Sequence, residues 1–142
     1  MSPFKLVPIT PAYAPVLTQI HARCFPHPWT LKDFQDLLTL STTKGYVCEQ
    51  GFILVCALED SLEILTLGVV PSSRRQGLGR TLIDSLKQSF PHIPRIFLEV
   101  SATNTAAIAL YEQTGFQRTG QRKGYYQTPQ GAQDALCYTW ER

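Results

Sequence analysis

A pair of glycines with flanking arginines follows an apolar, strand-like run near the middle of the chain. The run ends at Pro71, and the string Arg74-x-x-Gly77-x-Gly79 leads into a helix-like segment. Glycines allow backbone to approach a ligand closely, and the first-turn N–H groups of a helix have no partner within it. Such groups bind anions, and neighbouring guanidinium groups add charge-assisted hydrogen bonds. The segment is therefore typical of a site for a phosphorylated ligand.

Other phosphate motifs fit this segment less well. The chain contains no Walker string, which needs glycine, four residues and then Gly-Lys-Ser/Thr. Gly77 and Gly79 begin a GxGxxG dinucleotide string, but Leu82 stands where its third glycine belongs. A chain of this length also lacks a second βαβ half. A helix start with glycines for tight packing remains the alternative interpretation.

A second chemical candidate is a carboxylate within an apolar strand. Alternation along the strand places Glu99 on the face opposite Ile96, Leu98 and Val100. A buried glutamate is unfavourable unless it is solvated or partnered. Glu99 is therefore either a structural carboxylate, paired with an arginine or a backbone N–H, or a general base.

An amide and a phenol lie on the helix that follows. Asn104 and Tyr111 are separated by about two helical turns, so their side chains point in the same direction. Together they can line a groove near the phosphate-binding turn. The alternative is that Asn104 only caps the helix and Tyr111 belongs to the core.

Apolar periodicity predicts strands and helices in the order β α α β β β α β α β β. The first strand covers residues 4–9, and Thr10 caps the first helix. Thr30 and Asp33 form a capping box for the second helix. Residues 128–134 form a polar loop between the last two strands. Early hairpins with a later crossover helix indicate an α/β fold with one mixed sheet covered by helices.

Length and composition limit the class of protein. The 142 residues, 44% of them hydrophobic, are expected to form one domain over residues 1–142. A net charge of +2 does not favour direct nucleic-acid binding. The four cysteines and three histidines show no metal-ligand spacing, so we expect no metal site and reduced thiols. The chain shows neither a signal-peptide pattern nor a membrane-length apolar run, and we expect a cytoplasmic protein that does not contact membranes.

The motifs, taken together and in order, resemble those of the GNAT superfamily of N-acetyltransferases over almost the full chain. The strings that carry the resemblance are Phe25-Pro26-His27-Pro28-Trp29, Arg75-Gln76-Gly77-Leu78-Gly79-Arg80, Leu98-Glu99-Val100 with Asn104 to Glu112, and Gly124-Tyr125-Tyr126. The resemblance implies a mostly antiparallel mixed sheet of about seven strands with about four helices, and a splay between strands 4 and 5.

The resemblance also implies roles for individual residues. The residues implied to bind acetyl-CoA are Leu67, Gly68 and Val69 along its pantetheine arm, Arg75, Gln76, Gly77, Leu78, Gly79 and Arg80 around its diphosphate, and Asn104 near the pantetheine. Glu99 matches the family's base and Tyr111 its acid. Glu63, early in the strand that leads to the splay, remains a rival base.

The implied reaction transfers acetyl from acetyl-CoA to the N-terminal α-amine of a protein, with the N-terminal alanine of a small-subunit ribosomal protein as the expected acceptor. Trp29, Tyr125 and Tyr126 are candidates to line the acceptor groove. His27 is an extra residue in its loop, and Gly68 replaces a common alanine, a change expected to ease the splay. The alternatives are an acetyltransferase for small amines or other proteins, and a non-catalytic acyl-CoA-binding module.

Overall fold

A computed structural model describes residues 3–142 and contains one seven-stranded sheet with the strand order β1-β2-β3-β4-β5-β7-β6. The strands are β1 Val7–Pro8, β2 Thr43–Cys48, β3 Gly51–Ala57, β4 Ser61–Val69, β5 Arg95–Ser101, β6 Gln117–Thr128 and β7 Gly131–Glu141. The helices are α1 Ala14–Cys24, α2 Leu31–Leu38, α3 Leu78–Ser89 and α4 Thr105–Gln113. Within residues 3–142, no helix has the length and apolarity needed to cross a membrane.

Helices cover both faces of this sheet. Along β3, Phe52 and Leu54 pack into one buried cluster while Ile53 and Val55 pack into another, so the clusters lie on opposite faces. The first cluster contains residues of α1 and α2, and the second contains residues of α3 and α4. We call these the α1–α2 face and the α3–α4 face. The arrangement confirms the expected mixed α/β fold.

Strands β4 and β5 form the parallel pair of this sheet and then part. Their register runs from Ser61↔Arg95 to Ile64↔Leu98, and the later residues of the two strands are not paired with each other. On the other side of β4, the register with β3 shifts so that Leu65 is an extra, bulged residue. A bulge bends a strand and increases its twist. The opening beyond Ile64 and Leu98 is the predicted splay.

Several predicted boundaries hold, and the structure corrects others. The Thr30 hydroxyl accepts the Asp33 N–H and the Asp33 carboxylate accepts the Thr30 N–H, which confirms the capping box. By contrast, the Thr10 side chain makes no capping hydrogen bond, and a short 3-10 turn over Pro11–Tyr13 precedes α1. The first strand is only Val7–Pro8, because proline limits pairing at a sheet edge.

The predicted loop over residues 128–134 was wrong. Pairing of β6 and β7 continues to Thr128↔Gly131, and a tight turn joins the two strands. Gly131 adopts a φ of 110°, which glycine reaches without strain. Polar side chains suit both strand ends, because this hairpin lies at the edge of the sheet and is largely exposed.

Candidate active site

The free edge of β4 faces the splay. Val70 N–H donates to Gln50 O at 2.9 Å, so by antiparallel alternation Gly68 bonds toward β3 while the peptide groups of Leu67 and Val69 point away from it. The N–H groups of Leu67 and Val69 and the C=O group of Leu67 are therefore presented to the opening, whereas the Val69 C=O already accepts a hydrogen bond from Arg74 Nε at 2.9 Å. This places two of the three residues expected along the pantetheine arm with free backbone groups.

Packing on the α1–α2 face leaves little room for a side chain at Gly68. A Cβ at this position would lie 3.0 Å from Phe52 Cε1 and 3.1 Å from Cys24 Sγ. Both distances are shorter than ordinary van der Waals contact. The close approach of α1 to β4 is therefore a steric reason for glycine at this position, and the expectation that glycine eases the splay stays a prediction.

The turn between β4 and α3 is rich in unpaired backbone donors. Arg75 and Gly77 both have positive φ, 63° and 83°, and α3 begins at Leu78. The N–H groups of residues 75–80 donate to no acceptor among residues 3–142, and the next hydrogen bond runs from Thr81 N–H to Gly77 O. Helix-start donors that converge in this way fit a diphosphate.

The remaining residues of the turn divide into structural and free groups. Arg80 Nη2 donates to Gln113 O at 3.0 Å and links α3 to the end of α4, whereas Arg75 is exposed and makes no bond within residues 3–142. The Gln76 amide reaches back toward Ser72 O. Leu78 is buried in the core, and a Cβ at Gly79 would lie 2.7 Å from a methyl carbon of Leu110. All three arginines near the turn are exposed, but Arg74 and Arg80 bond backbone carbonyl groups, so Arg75 is the cation of this turn that has no partner among residues 3–142.

Glu99 lies on β5 directly after the last pair with β4. Its side chain is 23% exposed and its Oε1 lies 3.1 Å from Arg122 Nη2. Its other oxygen, Oε2, is buried and has no hydrogen-bond partner in the structure. Glu63 shares this face of the sheet but stands opposite Phe97, inside the paired part of β4 and β5. Of the two carboxylates, Glu99 is therefore the one at the splay.

Tyr111 lies on α4, which covers the face of the sheet opposite to the Glu99 side chain. It packs in the α3–α4 cluster, with its ring centroid 5.5 Å from that of Phe116. Burial raises the pKa of Tyr111, so the phenol stays protonated at neutral pH. The hydroxyl makes no hydrogen bond within residues 3–142 and remains available as a donor. The ring of Tyr111 thus belongs to the core, and the role of its hydroxyl as an acid stays a prediction.

Asn104 is the N-cap of α4. Its Oδ1 accepts the Ala107 N–H at 3.2 Å, as the capping alternative predicted. The cap uses the oxygen of the amide, and the Nδ2 donors make no bond within residues 3–142. The residue can therefore cap the helix and still donate to a ligand.

Sequence reasoning missed Arg122, the cation paired with Glu99. Arg122 lies on β6, which is not adjacent to β5, so no short-range sequence signal links the two residues. A β6 irregularity between Arg122 and Tyr126 brings this part of the hairpin to Glu99, and Gly124 within it has a φ of 61°. The Gly124-Tyr125-Tyr126 string was the one sequence signal that pointed to this part of β6. Burial, and to a smaller extent the negative charge of Glu99, raises the pKa of Tyr126.

A buried histidine anchors the loop with the extra residue. His21 Nδ1 accepts the Trp29 N–H at 3.1 Å, and its ring stacks on Phe25 and Trp29 with centroids 4.2 and 5.1 Å away. Desolvation lowers the pKa of His21 from 6.5 to about 4, so the ring is neutral and can accept this bond. His27 is exposed, which lets the loop carry an additional residue without disturbing the anchor.

Comparison with known proteins agrees with this geometry. Residues 14–116 match the acetyltransferase (GNAT) family. The ribosomal protein bS18-alanine N-acetyltransferase of Salmonella typhimurium is 34% identical over 129 residues, which cover 86% of each chain.

Solved structures show the same fold. The crystal structure of the ribosomal-protein-S18-alanine N-acetyltransferase from Escherichia coli has a TM-score of 0.87 at 28% identity and covers 96% of this chain and 92% of that chain. Arabidopsis thaliana NAA60 in complex with acetyl-CoA has a TM-score of 0.83 at 22% identity and covers 98% of this chain and 99% of that one. At this identity the second likeness concerns the fold alone.

Proposed function

Because the chain belongs to the acetyltransferase (GNAT) family and is an acetyl-CoA-dependent N-acetyltransferase, we propose that its acceptor is the N-terminal α-amine of a protein. The acceptor we propose is the N-terminal alanine of a small-subunit ribosomal protein, as in the Salmonella relative named for that reaction. Such an acceptor places the reaction in the cytoplasm. The observation that carries the mechanism is the buried, unpartnered Oε2 of Glu99 at the splay.

The coenzyme would be held by backbone more than by side chains. The unpaired N–H groups of residues 75–80 and the exposed Arg75 suit the diphosphate. The free edge of β4 at Leu67 and Val69 suits the amides of the pantetheine arm, and Asn104 Nδ2 supplies a further donor. Bound acetyl-CoA supplies the acetyl group as a thioester.

The chain's own residues would then move the protons. A peptide α-amine has a pKa of about 8, so only modest help is needed to deprotonate it at neutral pH. Glu99 Oε2 accepts that proton, directly or through a water molecule. The Val69 N–H donates to the carbonyl oxygen as negative charge develops on it. The Tyr111 hydroxyl donates to the departing sulfur from the α3–α4 face.

The acceptor is tested with a mixture of N-terminal peptides that differ in their first residue, together with small amines. The enzyme is incubated with acetyl-CoA, and mass shifts identify the acetylated position. We expect acetyl on the α-amine of peptides that begin with alanine, and none on peptides whose α-amine is blocked. Product from small amines alone would contradict the proposed acceptor, and coenzyme binding without any product would favour the binding module.

The base is tested by two matched substitutions. Glu99→Gln is expected to lower kcat by about 10²- to 10⁴-fold, the usual effect of losing a general base. Glu63→Gln removes the same negative charge, but from the paired part of β4 and β5, and is expected to retain activity. The reverse result would assign the base to Glu63. Acetyl trapped on a cysteine during turnover would contradict direct transfer.

A further inference from the structure

We propose that Arg122 is the positioning residue of the Glu99 base, fixing one carboxylate oxygen so that the other is held ready for the proton of the acceptor amine. The Arg122 guanidinium lies 3.1 Å from Oε1, and Oε2 is the oxygen left buried without a partner. This inference rests on the proposed function, because it requires Glu99 to be the base. It adds a residue of β6 that does not need to touch the substrate.

Arg122 is itself held in place by the hairpin. Its guanidinium carbon lies 5.0 Å from the centre of the Tyr125 ring, a cation–π arrangement. The β6 irregularity between Arg122 and Tyr126 is secured by Asp134 of β7. One Asp134 oxygen accepts the Gly124 N–H at 2.9 Å, and the other accepts an amide hydrogen of Gln121. These bonds join the Asp134 side chain to residues on either side of Arg122 in β6.

Fixing one oxygen has a direct chemical consequence. A glutamate side chain has three rotatable bonds before its carboxylate plane, and an unanchored carboxylate samples several orientations. The bond to Oε1 removes that freedom before the amine arrives, and positioning of this kind raises the rate of proton transfer. It also leaves Oε2 desolvated and unsatisfied, so an incoming N–H or water donor is favoured there.

The other titratable groups around Glu99 cannot replace Arg122. Tyr126 of β6 is kept neutral because burial and the Glu99 charge raise its pKa. Cys137 of β7 is the cross-strand partner of Glu99. Glu63 of β4 lies on the same face of the sheet and pairs with Phe97, two residues before Glu99 in β5. None of these carries a positive charge. Among residues 3–142, Arg122 is the cation that forms an ion pair with Glu99.

A double-mutant cycle tests the proposal. Arg122→Met is expected to lower kcat by about 10- to 100-fold in the wild-type background and to have almost no effect in the Glu99→Gln background. Arg122→Lys keeps the charge and should recover most of the lost rate. Arg95→Met is the matched control, because Arg95 also forms an ion pair with a glutamate, Glu141 at 3.7 Å, but has no bond to the groups around Glu99. It should leave kcat unchanged.

The separation of kcat from KM supplies a further readout. Arg122→Met should lower kcat while the KM values for acetyl-CoA and for the acceptor peptide stay near those of the wild type, because the proposed role of Arg122 involves no contact with either substrate. Arg122→Lys should show the same KM values with most of kcat recovered, and Arg95→Met should leave both parameters unchanged. Thermal melting and coenzyme affinity establish that each variant is folded.

Each outcome of the cycle has a distinct meaning. If Arg122→Met lowers kcat equally in both backgrounds, or raises KM without lowering kcat, Arg122 does not act through Glu99 and the inference is overturned. The proposed base would survive that result. If instead Glu99→Gln retains the wild-type kcat, the proposed base and the positioning role fail together.

Discussion

Arg74 Nε donates to the backbone carbonyl of Val69 at 2.9 Å, so the turn between β4 and α3 is bonded back to the edge of β4 that faces the splay. Burial raises the pKa of the Cys24 thiol at the end of α1, and the positive charge of Arg74 partly opposes this effect. The Arg74 guanidinium therefore bonds the turn to the strand edge and interacts electrostatically with the end of α1. A ligand that binds the turn would act on a strand edge that is already held in position.

Substitution of Arg75 should weaken coenzyme binding, whereas substitution of Arg80 should lower the stability of the fold. Arg75→Ala is expected to raise the Kd for CoA about 5- to 10-fold, the loss of one charge-assisted hydrogen bond, without changing the melting temperature. Arg75 is exposed and bonds to no group within residues 3–142. Arg80→Ala should instead cost about 1 kcal/mol of stability, because it removes the bond to Gln113 O. Calorimetric titration and thermal melting of both variants make the comparison, and equal CoA affinities for wild type and Arg75→Ala would contradict it.

Tyr111→Phe is expected to lower kcat by about 10²-fold while KM and the melting temperature change little. The ring stays packed against Phe116, and the hydroxyl has no protein partner within residues 3–142 to lose. Tyr138→Phe is the matched control, because its buried hydroxyl donates to Glu112 at 2.8 Å. That variant should lose stability and keep its rate. An unchanged kcat in Tyr111→Phe would remove this tyrosine from the mechanism.

Gly68→Ala should destabilise the protein by about 1 to 2 kcal/mol, a typical cost of overpacking. The new methyl would crowd Cys24 Sγ at 3.1 Å and Phe52 Cε1 at 3.0 Å. Adding Cys24→Ala should recover part of the loss, because it removes the sulfur. Gly120→Ala serves as the control, since its Cβ would meet Cys137 at an ordinary 3.7 Å. Chemical denaturation of the four variants measures the coupling, and simple additivity of Gly68→Ala and Cys24→Ala would argue against the contact.

Stability should fall between pH 6.5 and 4 because of His21. Burial lowers the pKa of its ring from 6.5 to about 4, so in this range the unfolded chain binds a proton that the folded chain does not. The free energy of unfolding therefore carries no penalty from His21 above pH 6.5, and it falls by up to about 3 kcal/mol as the pH is lowered toward 4.

Denaturation at several pH values checks this dependence on His21. His21→Asn can still accept the Trp29 N–H but does not titrate, so its stability should depend less on pH in this range. His27→Gln changes an exposed histidine and should keep the wild-type pH dependence. If His21→Asn and wild type lose stability in parallel, another group is responsible.

The order of elements and the local signals were predictable from the sequence. The capping box at Thr30, the N-cap at Asn104, the alternation around Glu99 and the helix start after Gly77 each depend on neighbouring residues only. Patterns of this kind follow from backbone geometry and hydrogen-bond donors that are close in the chain. The family resemblance then identified the reaction class, because its motifs occur in order.

The tertiary structure alone decided which groups meet across strands. The bulge at Leu65, the partnership of Arg122 with Glu99 and the crowding of Gly68 by Cys24 all join residues that are distant in sequence or depend on strand register. Register and close packing depend on the whole sheet and its helices, and a one-residue shift would turn each of these side chains to the other face. For this reason the free oxygen of Glu99 could be located only in the folded chain.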